Sequence, residues 1–124
     1  MEKYVPGVCN IGPAERQQRF RSGIIGAFLT VIMLFLLLLT GASRFYRLGV
    51  FFPAFAAAIG FLQSYFHFCA AFGLAGLYNV TRSFGETDTV VQAGFRRQDK
   101  LKAFKIILLS FFAAAITALI AYLI

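Results

Sequence analysis

The sequence has little of what catalytic and metal-binding sites usually need. Its 124 residues include one histidine, two cysteines and five acidic residues. Two cysteines and one histidine fall short of the four ligands that a structural zinc site typically has. No glycine-rich phosphate-binding loop, carboxylate pair or serine–histidine–aspartate set is present. We therefore expect a protein that is not an enzyme and that holds no metal.

Charge is missing altogether from three long stretches, which are residues 23–40, 48–77 and 106–124. Crossing the hydrocarbon core of a bilayer takes about 17–25 residues. Only helices can do so here, because open strands would leave backbone groups unpaired. The sequence therefore predicts an all-α integral membrane protein with three transmembrane helices. Its single domain, 1–124, divides into a cytoplasmic N-terminal segment 1–22, span one 23–41, span two 50–77, a cytoplasmic loop 78–103 and span three 104–124.

The basic residues give the chain a formal net charge of +7 and predict its orientation. Ten of the twelve lie in the N-terminal segment and between Tyr78 and Lys105, while the first loop holds only Arg44 and Arg47. Basic residues favour the cytoplasmic side, so the N-terminus should be cytoplasmic and the C-terminus periplasmic. Basic residues at the ends of spans meet lipid phosphates, not nucleic acid. We expect anionic headgroups at Arg16, Arg19, Arg21, Arg96, Arg97, Lys100 and Lys102.

Two helices should begin well before the spans that they enter. Gly12-Pro13 is typical of a helix start, because proline is well tolerated at the first helical position. A second helix, from about Val90, can run unbroken into span three. Apolar side chains between Val91 and Phe104 fall near one face of it, and basic side chains lie elsewhere. This pattern predicts either an amphipathic basic helix at the membrane surface or an ordinary solvated helix.

Small residues mark the surfaces on which the spans should pack. They let helix backbones approach closely inside a membrane. Span two should be the central helix, and its 30 uncharged residues exceed the bilayer, so it must tilt, kink or emerge from it. The positions expected to pack are Gly60, Ser64, Gly73 and Gly76 on span two, and Ala114 and Ala118 on span three.

The only histidine, His67, lies inside predicted span two. An ionisable residue within a span is a candidate functional site. His67 is a candidate cofactor ligand, for a haem iron or a chlorin magnesium, or a proton relay. The alternative is a hydrogen bond to a tyrosine, serine or threonine of another span. The sequence does not identify a cofactor.

The two cysteines, Cys9 and Cys69, are candidates for a thiol site that depends on how the N-terminal segment folds. Cys69 lies two residues beyond His67, and Cys9 lies in the N-terminal segment. If that segment folds back against the inner end of span two, the thiols approach each other and a thiol or persulfide site becomes conceivable. A structural disulfide is not expected in a reducing compartment. The alternative is that both cysteines are small apolar fillers.

Short motifs in residues 9–80 resemble the YgaP-like transmembrane domain family, a two-helix bacterial membrane module. The resemblance implies a multi-pass protein of the bacterial inner membrane, and the family's own function is poorly defined. This chain has Ala70 where the family often has proline, lacks the rhodanese domain that sometimes accompanies the module, and adds a third span. The matching positions are Asn10-Ile11-Gly12, Arg16, Arg19, Gly23, Cys69 and Gly76.

Three functions remain open at this point. The first is an accessory or structural subunit that packs as a homo-oligomer or within a larger bacterial membrane complex. The second is a cofactor-binding or redox and sulfur-handling protein that uses His67 and Cys69. The third is an oligomeric channel for small solutes, lined by Gln63, Ser64, Tyr65 and His67. A proton- or cation-coupled transporter is disfavoured, because all five acidic residues lie outside the charge-free stretches.

Overall fold

The structure is a computed structural model that describes residues 3–80 and 85–124. Within these residues, three helical segments are long and apolar enough to cross a membrane: Pro13–Leu39, Arg44–Phe66 and Ala93–Leu123. The prediction of a mostly helical chain with three such helices is confirmed. The elements are α1 (Pro13–Leu39), α2 (Arg44–Arg47), a 3₁₀ turn (Leu48–Val50), α3 (Phe51–Phe66), α4 (Ala70–Ala75), β1 (Leu77–Tyr78), β2 (Asp88–Thr89) and α5 (Ala93–Leu123).

The helix of predicted span two ends at Phe66 and not at Leu77. After a break at residues 67–69, the short helix α4 follows. Both expected early helix starts are present, because α1 begins at Pro13 and α5 runs without interruption from Ala93 into the third apolar stretch. β1 and β2 form a small antiparallel pair with Leu77 opposite Thr89 and Tyr78 opposite Asp88.

The central helix is α3, which packs against both α1 and α5. Its backbone nearly touches that of α1, since a Cβ added at Gly60 would lie 2.6 Å from the backbone nitrogen of Gly23, and one added at Gly26 would lie 2.6 Å from that of Ala57. Two small cores join the segments that flank α3 to α5. One contains Phe68, Ala70, Ala103 and Ile106, and the other contains Val50, Ala118 and Ala121.

Candidate functional site

The most unusual backbone feature lies where α3 ends. His67 adopts the left-handed conformation, with φ 55° and ψ 40°, and is the only described non-glycine residue with a positive φ. The backbone N–H of Phe68 then donates to the carbonyl oxygen of Gln63 at 3.0 Å, which closes the helix. A side chain in this conformation costs roughly 1–2 kcal/mol. His67 therefore terminates the helix, whereas the sequence placed it inside a continuous span.

The N-terminal segment fills the break that follows His67. The backbone N–H groups of Asn10 and Ile11 donate to the carbonyl oxygen of His67 at 3.1 and 3.4 Å. The side chain of Asn10, fully buried, donates from Nδ2 to the carbonyl oxygen of Cys69 at 3.1 Å and accepts from the Cys69 N–H at 2.7 Å. A second carboxamide, that of Gln63, accepts from the N–H of Ala70 at 2.8 Å. Side chains thus replace the helix hydrogen bonds lost at the break.

A buried carboxylate, Glu15, ties this region to the second loop. Its side chain accepts hydrogen bonds from Nη1 of Arg19 at 2.9 Å, Nδ2 of Asn79 at 3.1 Å and the backbone N–H of Gly85 at 2.9 Å. Glu15 is only 1% exposed. Sequence reasoning missed it, although the four-residue spacing to Arg19 is typical of an ion pair on a helix.

Arg19, one of the residues expected at lipid headgroups, has partners within the protein. Its side chain turns inward, where Nη1 pairs with Glu15 and Nη2 donates to Sγ of Cys69 at 3.1 Å. The guanidinium also lies 5.6 Å from the centre of the Phe72 ring. Two partners that arrive from different parts of the chain, Glu15 and Cys69, hold this side chain against the protein.

A further set of hydrogen bonds joins the N-terminal segment to α5 through Asp99. The hydroxyl of Tyr4 donates to one carboxylate oxygen at 2.6 Å, and the N–H of Gly7 donates to the other at 2.8 Å. Asp99 is fully buried, so two acidic residues are buried although both lie outside the charge-free stretches. Burial of Tyr4, with its bond to Asp99 and that negative charge, raises the pKa of the Tyr4 hydroxyl above its usual value. Sequence reasoning gave no role to either residue.

The structure brings the regions around the two cysteines together, and neither cysteine forms a disulfide. Cys69 is 2% exposed, whereas Cys9 is half-buried and its Sγ lies 3.4 Å from the carbonyl oxygen of Ile11. The fold-back of the N-terminal segment, on which the thiol site depended, is therefore present. His67 and Cys9 line one open cleft of about 320 Å³, with Lys3, Val8 and Phe66. Within residues 3–80 and 85–124, no group of three or more potential metal ligands occurs.

The residues proposed for a channel do not share a surface. Gln63 and Ser64 are buried at the α3 break, whereas Tyr65 is 72% exposed on the other side of the helix. Gln63 is held by its bond to Ala70. This arrangement provides no continuous polar lining along α3.

The other expected headgroup contacts differ in their surroundings. Arg16 and Arg21 on α1 are exposed, as are Arg96, Arg97 and Lys100 on α5. Lys102 is half-buried, and its Nζ lies 4.1 Å from the centre of the Phe66 ring. Five of these seven basic residues are therefore exposed, whereas Arg19 and Lys102 are partly buried.

The expected packing positions are all buried. Gly60 lies at the contact with α1, and Gly73 lies where α4 meets α5, since a Cβ there would be 2.9 Å from the carbonyl oxygen of Asp99. Gly76, with φ 73°, instead ends α4 in a left-handed conformation. Ala114 and Ala118 are buried on α5, and Ser64 is buried at the end of α3. Gly23 and Gly26, which complete the contact with α3, were not singled out as packing positions from the sequence.

Comparison with known proteins gives no match: no family model matches the chain, and neither does any curated protein or solved structure. The resemblance to the YgaP-like family therefore stays a prediction.

Proposed function

We propose that the chain is a non-catalytic membrane protein that packs with a second copy of itself in a bacterial inner membrane, with its N-terminus in the cytoplasm. The observation that carries this proposal is a groove of about 330 Å³ over the central helix. Lipid tails are as apolar as the helices they surround, so helix association in membranes depends on close packing at small residues. The groove is lined by Ala27, Thr30 and Val31 of α1, Ala54, Ala57 and Ala58 of α3, and Ala113 and Thr117 of α5.

The same face supplies a ridge that suits this groove. Phe112, Ile116 and Ile120 follow one another at four-residue spacing on α5, and each is more than half exposed. This row lies roughly 60–100° around the helix axis from Ala113 and Thr117, so it borders the side of α5 that lines the groove. Two copies facing each other across a two-fold axis would each place this ridge in the groove of the other. The polar cluster at the α3 break then serves to fix the helices that form the groove.

The test is the oligomeric state of the full chain in mild detergent and in bilayers, measured by light scattering and by crosslinking. The wild-type chain should be a dimer. Ala58→Phe fills the groove and should give monomers. Ala56→Phe is the matched control, since Ala56 is exposed on the other side of the same helix and does not line the groove. A monomeric wild-type chain, or equal dimer loss in both variants, would overturn the proposal. Co-purification of a different protein in place of a second copy would also overturn it, and would show that the groove binds that protein.

A second function is favoured by the contact of Arg19 with Cys69. Nη2 of Arg19 donates to Sγ of Cys69 at 3.1 Å, so a cation lies beside the sulfur. A cysteine thiolate attacks the outer sulfur of a persulfide donor and becomes a persulfide itself, while the rest of the donor leaves as a thiolate. Because Cys69 is buried beneath the N-terminal segment, that segment would have to move to admit a donor.

Mass spectrometry after treatment with a low-molecular-weight persulfide tests this second function. The Cys69 peptide should gain the mass of one sulfur atom, and Arg19→Gln should reduce that gain. Arg21→Gln removes a nearby exposed positive charge and should leave it unchanged. Absence of sulfur on Cys69 in the wild-type chain would remove this function and leave the dimer proposal intact.

A further inference from the structure

A cleft at the membrane-surface end of α1 and α3 is not used by either proposed function. It has a volume of about 330 Å³ and is lined by Pro13, Arg16, Gln17, Phe20 and Ser64. Two of its lining residues, Arg16 and Phe20, directly follow the ion-paired Glu15 and Arg19 along α1. Its lining combines a guanidinium and a carboxamide with an aromatic ring.

The guanidinium of Arg16 is held in place at the mouth of this cleft. Its Nε donates to the carbonyl oxygen of Ser64 at 2.9 Å, so α3 fixes the direction of a side chain that α1 carries. In the part of the chain that the structure describes, the two terminal nitrogens of Arg16 have no protein partner, and the residue is exposed. A planar, weakly hydrated guanidinium with two available nitrogens is well suited to bind a phosphate group.

A row of apolar side chains continues from the cleft along α1. Phe20, Ile24 and Phe28 follow Arg16 at four-residue spacing and are 47%, 49% and 65% exposed. Successive members are about 6 Å apart along the helix axis. Phe20, the first residue of this row, is held in place because its ring makes an edge contact with the Phe61 ring of α3 at 5.6 Å between centres. A cation at one end and an apolar row that winds gradually round the helix from it match a ligand with an anionic head and a flexible hydrocarbon tail.

We propose that this cleft is a binding site for one anionic phospholipid. The phosphate lies against Arg16 and the carboxamide of Gln17, and one acyl chain runs along Phe20, Ile24 and Phe28. The fixed guanidinium distinguishes this site from the other exposed basic residues, whose flexible side chains attract anionic lipid without selecting a position. The lipid would bridge α1 and α3 at the point where α3 breaks.

The experiment measures lipid retained by the full chain in mixed vesicles of phosphatidylglycerol and phosphatidylcholine, after extraction and native mass spectrometry. The wild-type chain should retain phosphatidylglycerol in preference to phosphatidylcholine, with one tightly held molecule per chain. Arg16→Gln should weaken that retention on the order of tenfold, as expected from the loss of one charge-assisted contact. Arg21→Gln removes the same charge from an exposed position outside the cleft, and should change retention by less than about twofold on the same scale.

Two further measurements distinguish a lipid site from a folding defect and from a site for free phosphate. Gln17→Leu keeps the bond from Arg16 to Ser64 and should still reduce retention, which excludes a mere folding defect of Arg16→Gln. Soluble glycerol phosphate carries the headgroup chemistry without a tail and should not compete. Competition by glycerol phosphate would assign the site to free phosphate and overturn the lipid proposal. Equal losses in Arg16→Gln and Arg21→Gln, or equal retention of the two lipids, would also overturn it.

Discussion

The side chain of Asn10 forms two hydrogen bonds with the backbone of Cys69, one to its N–H at 2.7 Å and one to its carbonyl oxygen at 3.1 Å. A carboxamide has the same donor and acceptor as a peptide group, so Asn10 pairs with Cys69 much as a neighbouring strand would. The pairing occurs in a fully buried position beside a helix break. It explains how an uncharged stretch of 30 residues accommodates an interruption at residues 67–69.

Asn10→Ala should destabilise the fold by about 2–4 kcal/mol, because it leaves the buried N–H and carbonyl of Cys69 without partners. The measurement is the midpoint of unfolding in a mixed-micelle denaturant titration, followed by helical circular dichroism. Gln18→Ala removes a similar carboxamide from an exposed position on α1 and should shift the midpoint little. A midpoint for Asn10→Ala equal to that of Gln18→Ala would show that the Asn10 bonds do not stabilise the fold.

Alkaline pH should release the N-terminal segment from α5. The bond from the Tyr4 hydroxyl to Asp99 requires the protonated phenol, and the pKa of Tyr4 is raised above its ordinary value of 10.0 in the folded chain. The stability from this group is therefore complete below about pH 10 and is lost as pH rises through the folded pKa. Limited proteolysis within residues 3–12 should accelerate in strongly alkaline buffer.

Tyr4→Phe provides the control for that pH effect. It removes the hydroxyl, so it should weaken docking by about 1–3 kcal/mol at neutral pH, as expected for a hydrogen bond to a charged group. Its cleavage rate should already be raised at neutral pH and should not show the alkaline step. A step that persists in Tyr4→Phe would assign the transition to a different group.

Gly60→Ala should separate α1 from α3. The added methyl carbon would lie 2.6 Å from the backbone nitrogen of Gly23 and 2.8 Å from the carbonyl oxygen of Arg19, and neither backbone atom can yield without moving a helix. We expect a loss of about 1–3 kcal/mol, typical of overpacking. Gly94→Ala makes the same change where nothing lies within 4 Å, and should stabilise α5 by about 0.5–1 kcal/mol. The two unfolding midpoints should therefore move in opposite directions.

His67→Gly and His67→Ala both remove the imidazole, but glycine adopts the left-handed conformation of this position without the cost of about 1–2 kcal/mol that a side chain incurs. His67→Ala keeps that cost and should be less stable than His67→Gly. Absorption spectra of both purified variants address the cofactor hypothesis directly. A visible band in the wild-type chain that both substitutions abolish would show that the imidazole is a ligand.

The sequence was sufficient to predict the helices but not their interruption. The charge-free stretches and Gly12-Pro13 predicted three long helices and the start of α1, since these signals are local. The break at His67 has no local signal, because no glycine or proline lies next to it. It depends on Asn10, which is 59 residues from Cys69 in the chain.

The buried acids were missed for the same reason. Glu15 and Asp99 stand in polar surroundings in the sequence, where exposure is the ordinary expectation for a carboxylate. Their partners are remote, since Asn79 is 64 residues from Glu15 and Tyr4 is 95 residues from Asp99. The inward turn of Arg19 follows from these burials, so the one arginine placed beside a buried acid has protein partners that the sequence did not indicate.

The contact between Tyr4 and Asp99 sets an order of assembly. Synthesis produces Tyr4 before α1, and Asp99 only after α1 and α3 are complete. The two residues are 95 positions apart, so this hydrogen bond cannot form until the start of α5 has been made. During translation the N-terminal segment must therefore remain undocked from α5. It can be fully fixed over Cys69 only once the third long helix is in place.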